Sequence, residues 1–227
     1  GDLDLQTTKG GVVVVTPKKE FRGNHVPNPD FKHELKHWKS QFPEKNETKY
    51  NGNHRLVSVV DAPAGRTGKA IELNSIPEVA GSQGVKAVKP LIRIREDQAY
   101  EFGADVLSLA PAVKIFIEGY KEEAERTEAG NDRYPGFVRC YRAAIHVKVP
   151  KRKWGAASRI IKPPKRYQPT HVLIKLYCYW PTGKVYFTNV FLRPTDQEPT
   201  KTYGPIRKPR KKRAKPDNEA QNDNDAG

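Results

Sequence analysis

The feature that most constrains this chain is a period-two alternation of apolar and polar residues that recurs in segment after segment. It runs through "RLVSVVDAP" (55–63), "KAIELNS" (69–75), "LIRIRED" (91–97), "AYEFGADVLSL" (99–109) and "AVKIFIEGY" (112–120). It continues in "GFVRCYRAAIHVKVP" (136–150), "THVLIKLYCYW" (170–180) and "KVYFTNVFL" (184–192). Successive side chains of a strand point to opposite faces, so this alternation marks strands with one face buried. Val113, Ile115 and Ile117 share one face against Lys114 and Glu118, and Ile145, Val147 and Val149 oppose His146 and Lys148. Gly, Pro, Asn or Asp bounds each segment, as turns require. A series of such strands without intervening helices predicts an all-β, antiparallel β-sandwich.

The flanks read differently. Residues 1–20 form a leader whose four-valine run, between Gly and Pro breakers, is either a short edge strand or a flexible segment. Residues 21–195 hold the sandwich. Residues 196–227 are a basic, then acidic tail with almost no apolar side chains, which predicts disorder because it has little surface to bury against its ordering entropy. "YKEEAERTEAGNDRYPG" (120–136) has helix formers and charge but no apolar stripe, and reads as a solvated excursion with a helical turn or two. "GSQGVKAVKP" (81–90) reads as a loop between strands. No apolar run approaches the ~18 residues that span a bilayer. The chain starts without Met, which leads us to expect a processed N-terminus and a secreted or cell-envelope location. "NET" (46–48) matches the glycosylation acceptor pattern. The two cysteines, Cys140 and Cys178, are either one bridge between strands or two thiols in the core.

From Asn28 onward the order of signals resembles a known family. "NPDFK" (28–32) followed by Trp38, the Gly-led "GKAIEL" (68–73), "LIRIREDQAYEFGADV" (91–106) and "VKIFIEGY" (113–120) carry the resemblance. "PTHVLIKLYCYWPTGKVYFTNVFL" (169–192) carries it most specifically, as a closing hairpin. Together, over roughly residues 21–193, they resemble carbohydrate-binding modules with the galactose-binding-like jelly roll. The resemblance implies a jelly-roll β-sandwich, polysaccharide binding, and a structural calcium held partly by an Asp near the end of the last strand. Here Thr188 stands at that position, which leaves Asn28, Asp30 and Asn189 as oxygen donors with one carboxylate among them, a thin set for a hard dication. The plainer role for Asn189 is bonding to local backbone at a bulge.

A sugar has an apolar C–H face and a rim of donors and acceptors, so a binding sandwich needs exposed aromatic rings with polar groups beside them. Alternation in 171–180 puts Val172, Ile174, Leu176, Cys178 and Trp180 on the core side and His171, Lys175, Tyr177 and Tyr179 on the other. Tyr177 and Tyr179 are therefore the platform candidates, with Lys175, His171 and Arg139 as polar neighbours. Trp154, among Lys151, Arg152, Lys153 and Arg159, reads as a basic loop whose indole either stacks on a ligand or folds back over the sandwich. His33 and His37 have metal-like spacing only if helical.

No nucleophile elbow, phosphate-binding loop or supported Cys–His pair occurs, so the reading is a binding protein rather than an enzyme. The net charge of +15 sharpens the ligand class. Arg207, Lys208, Arg210, Lys211, Lys212 and Arg213 concentrate cations in the tail, where they favour polyanions through counterion release. The expected activity is non-catalytic polysaccharide binding, with an acidic glycan as one candidate. The alternative is a nucleic-acid-associated or assembly jelly roll that uses the tail, because that fold serves both purposes.

Overall fold

The computed structural model describes residues 3–7, 13–17, 23–42, 47–50, 55–123 and 134–199. Two sheets, antiparallel in all but one strand pairing, pack face to face. The strands are β1 (Leu3–Thr7), β2 (Val13–Pro17), β3 (Lys39–Ser40), β4 (Val57–Asp61), β5 (Lys69–Ser75), β6 (Val85–Val88) and β7 (Leu91–Arg93). They continue as β8 (Ala99–Ser108), β9 (Ala112–Glu122), β10 (Phe137–His146), β11 (Gly155–Ile161), β12 (His171–Tyr179) and β13 (Gly183–Thr195). Two single-turn helices, α1 (Glu47–Tyr50) and α2 (Pro77–Ala80), complete the described elements.

The larger sheet contains β1, β2, β3, β6, β7, β9, β10 and β12. The smaller runs β11-β8-β13-β5-β4. From β7 to β13 the chain crosses between sheets at nearly every connection, which makes this a jelly-roll sandwich rather than a stack of hairpins. The inner faces supply the core: Ile71, Leu73, Phe102, Val106, Ile115, Ile117, Ile174, Leu176, Val185 and Phe187 have no measurable exposure. These are apolar members of the alternating segments, and for them the inward face read from the sequence is the inward face of the fold.

Three places depart from the sequence reading, and one reading left open is decided. "GSQGVKAVKP" is not a loop throughout, since Val85–Val88 pairs with β12 from Val85↔Cys178 to Val88↔Lys175. "KRKWGAASR" is likewise not only a loop: Gly155–Ile161 pairs with β8 across seven positions. Both strands are short, and the second is rich in small residues, so partners rather than propensity make them strands. Of the two readings of the valine run the strand holds, though not as an edge: it pairs with β1 on one side and parallel to β7 on the other through Val14↔Leu91 and Val15↔Ile92. Finally, the phase of β13 flips midway. Asn189 sits at a bulge with φ 48° between the Thr188 and Phe191 pairings, so one extra residue lies on this strand. Val185 and Phe187 point inward before the bulge, and Val190 and Leu192 after it. Strict alternation over 185–189 would group Asn189 with Val185 and Phe187; the bulge breaks that grouping, and Asn189 is exposed.

Cys140 and Cys178 are both free thiols. They flank β9 from opposite sides, Cys178 opposite Val113 and Cys140 in the bulge opposite Gly119 and Tyr120, so no bridge is geometrically open to them. Most of the 120–136 excursion, and Asn46 of the acceptor pattern, lie outside the described residues.

Candidate functional site

β12 is central in the larger sheet, with β9 on one side and β6 then β7 on the other. Register decides which side chains share its outer face. Tyr177 lies opposite Lys114 and Lys86, Lys175 opposite Phe116 and Val88, and Tyr179 opposite Ala112. β10 adds Ala144 beside Phe116, His146 beside Lys114 and Arg142 beside Glu118.

One half of this outer face is closed. Val88, Leu91, Tyr120, Tyr134, Phe137 and Leu173 form a second apolar cluster there, separate from the main core. His171 belongs to this covered half and is 2% exposed, with Phe137 edge-on to its ring at 5.0 Å. Its Nδ1 lies 2.9 Å from Thr170 Oγ1 and 3.6 Å from Glu122 Oε1. Burial pushes its imidazole down to about 4, against the smaller opposing pull of Glu122. The expectation of His171 as a surface ligand contact is corrected accordingly: Phe137 and its neighbours cover it.

The other half is open and aromatic. Tyr177 and Tyr179 stack with centroids 5.4 Å apart and planes 17° from parallel. Phe116 extends the strip, 5.8 Å from Tyr177. Gly84 makes room for Tyr177: at φ +61° a Cβ there would fall 2.6 Å from Tyr177 Cε2 and meet the Cys178 carbonyl. Cations border the rings. Lys114 Nζ is 4.9 Å from the Tyr179 centroid, Lys86 Nζ 5.9 Å from that of Tyr177, and the Arg142 guanidinium 4.3 Å from that of Phe116.

At the junction of the two halves sits Glu118, 2% exposed. Lys175 Nζ donates to both carboxylate oxygens at 3.2 Å, and Tyr120 donates to Oε2 at 3.3 Å. Arg142 Nε and Arg139 approach the same carboxylate at 3.5 and 3.7 Å. Burial lowers the Lys175 ammonium; Glu118 counters it, while Arg142 and Arg139 push the same way as burial. Lys175 and Arg139 both reach Glu118 at this junction, Arg139 from a position opposite Tyr120, and Lys175 is an ion-pair partner whose side chain is only 13% exposed.

The remaining candidates lie elsewhere. Trp154 is on the outer side of the smaller sheet, against the Ala70–Leu107–Tyr186 cluster. Its indole N–H donates to the Pro63 carbonyl at 2.9 Å and Arg66 covers its ring, so it folds back onto the sandwich and is not brought to Tyr177 and Tyr179. Trp180, expected in the core, is 61% exposed, because β12 ends one residue before it. Asn28 spends its amide on the chain itself: Nδ2 donates to the Glu34 and Lys36 carbonyls and Oδ1 accepts from the His33 N–H. Asp30 pairs with Lys32 at 2.9 Å. The Asn189 amide donates to Asp105 Oδ2 at 3.3 Å, a side-chain partner rather than backbone. Among the described residues no group of three or more His, Cys, Asp or Glu is placed to hold a metal. His33 and His37 lie in successive turns rather than a helix. The tail cations Arg207 to Arg213 lie outside the described residues. No helix among those described is long and apolar enough to cross a membrane.

Sequence reasoning missed Phe116, Lys114, Lys86 and Arg142. Alternation already put Lys114 outward, but nothing local could place it against Tyr179, sixty-odd residues away in the chain.

These features define a jelly-roll β-sandwich with one open aromatic, cationic sheet face. No family model matches the chain, and no curated protein matches it. Among solved structures it is similar to carbohydrate-binding modules. One is a CBM61 module in complex with β-1,4-galactotriose, at 15% identity over 76% of this chain and 99% of that one, TM-score 0.46. Another is a family 16 carbohydrate-binding module, at 13% identity over 74% and 97%, TM-score 0.46. It is also similar to the enzymatically active domain of tailspike protein 4 from bacteriophage CBA120, at 12% identity and TM-score 0.47. There it covers 76% of this chain but only 21% of the tailspike chain.

Proposed function

We propose that this protein binds polysaccharide without transforming it, on the open half of its larger sheet. The observation that carries this reading is the Tyr177–Tyr179 stack continued by Phe116, an aromatic strip on a sheet face that the fold leaves half-exposed. An extended ligand with an apolar C–H face and a hydroxyl rim matches it: rings meet the face, and the bordering Lys and Arg donors meet the rim. Half-exposed aromatic rings grouped on one sheet face favour such an occupant, since a solvated sheet face ordinarily carries polar residues. A binding role without chemistry is supported by Glu118. It is the single carboxylate among the outward residues of β9 from Ala112 to Glu118 and of β6, β10 and β12 beside them, and Lys175 holds it in an ion pair. Glycoside hydrolysis ordinarily uses two carboxylates flanking the bond.

The test is retention of the whole 227-residue chain in gels containing neutral or acidic polysaccharides, at low and high salt, with Tyr177→Ala and Tyr179→Ala alongside. Retention that survives high salt and weakens at least about tenfold in either variant is expected, the scale of one lost ring contact of ~1.4 kcal/mol. The reading fails if no polysaccharide is retained, or if both variants bind as the parent does. Binding confined to duplex DNA and lost with salt, depending on Arg207 to Arg213, would instead favour the nucleic-acid alternative.

A further inference from the structure

Three cations converge on one buried carboxylate beside the aromatic strip, and two more flank it. Glu118 neutralises one unit of charge. Lys175 takes both of its oxygens and Tyr120 shares one, so its acceptor capacity is largely used at hydrogen-bond distance. Arg142 and Arg139 stand off at 3.5 and 3.7 Å with side chains 48% and 38% exposed. Each guanidinium carries five N–H donors in a planar fork that matches a carboxylate or sulfate. Lys86 and Lys114 lie on the other side, against Tyr177 and Tyr179. Among the described residues, the half-exposed surface around the rings therefore presents donors and positive charge, while its one carboxylate is sealed beneath Lys175. A neutral sugar's hydroxyls need acceptors as well as donors, and the described residues of this face offer few side-chain acceptors.

We infer that the face is built for an anionic polysaccharide, whose sugar rings lie along Phe116, Tyr177 and Tyr179 while uronate carboxylates or sulfate esters meet Arg139 and Arg142. This rests on the polysaccharide-binding reading and narrows its substrate class. Glu118 is then a positioning residue: its buried charge draws the two guanidinium groups to the edge of the strip and holds Lys175 below them. The ring contacts set the register of the polymer and the arginines select its charge.

The experiment compares polymers that share a backbone and differ in charge. The whole 227-residue chain is titrated with polygalacturonate and its methyl ester, and with dextran sulfate and dextran, with duplex DNA as a polyanion lacking sugar rings that can lie flat. The variants are Arg139→Gln/Arg142→Gln and the charge-preserving Arg139→Lys/Arg142→Lys; thermal melts confirm folding. We expect an acidic member to bind at least about tenfold tighter than its neutral counterpart, the preference to vanish in the Gln pair and to be partly retained in the Lys pair. Preference for polygalacturonate identifies a uronate, and preference for dextran sulfate a sulfate ester. Equal binding of charged and neutral members would overturn this inference and leave polysaccharide binding standing. So would a preference that survives in the Gln pair, or DNA bound as tightly as the acidic glycans through the same arginines. Failure of every polysaccharide, neutral and acidic, would overturn both.

Discussion

The ammonium of Lys89 lies 4.9 Å from the centroid of the Trp38 ring, inside the sandwich, with Lys89 fully buried and Trp38 5% exposed. Lys89 falls between β6 and β7, where Pro90 interrupts what would otherwise be one strand, and its backbone N–H still donates to the Ile174 carbonyl at 3.0 Å. Its Nζ has no hydrogen-bond partner among the described residues, and neither has the Trp38 indole nitrogen.

Burial drives the Lys89 ammonium down to about 6 from 10.5. Between those values the unfolded chain binds a proton that the folded chain does not, so stability rises with pH through that window. Below about pH 6 both states are charged and the full cost of the buried cation remains. Lys89→Met is therefore expected to stabilise the fold by about 1–4 kcal/mol at pH 5. The gap from the parent should narrow steadily between pH 6 and 10. Thermal melts of both proteins across that range check this; a gap independent of pH would refute it.

His171 adds a second slope at lower pH. Its folded value near 4 against an unfolded 6.5 means that the unfolded chain takes up the proton first as the solution is acidified. Stability is then lost as pH falls from 6.5 to 4, by up to about 3 kcal/mol. His171→Gln should flatten that part of the urea-midpoint profile. If parent and variant lose stability in parallel, the burial of this imidazole is not what sets acid sensitivity.

Glu118 and Lys175 are a buried pair, so removing one partner strands the other. Glu118→Gln is expected to cost about 3–5 kcal/mol, and Glu118→Gln/Lys175→Met to recover much of it. Chemical denaturation of Glu118→Gln, Lys175→Met and the double variant gives the coupling; additive costs would mean that the pair is not coupled.

Both thiols are free, and burial pushes Cys140 up to about 11 and Cys178 up to about 12. A reductant should leave the melting temperature unchanged. At pH 8 a thiol reagent should modify half-buried Cys140 slowly and Cys178 only when the chain unfolds, because the thiolate is the reactive form. Rapid labelling of Cys178 in the native protein would show that β12 opens locally.

The long strands and their inward faces were legible without coordinates. "KAIELNS" is β5 residue for residue, and Val172, Ile174, Leu176 and Cys178 are core as their alternation required. Tyr177 and Tyr179 were legible as outward rings for the same reason: a period of two is a local property, carried by the backbone of each strand alone. What surrounds those rings was not. Phe116, Lys114, Lys86 and Arg142 reach the strip through inter-strand register, and β6 and β11 become strands only because β12 and β8 offer them partners. The bulge at Asn189 reverses the phase of β13, the end of β12 exposes Trp180, and Phe137 with its neighbours seals His171 away. Alternation determined that this chain folds as a sandwich and which residues fill it. Pairing between distant segments, which no local pattern encodes, decided which of the outward side chains meet on one open face.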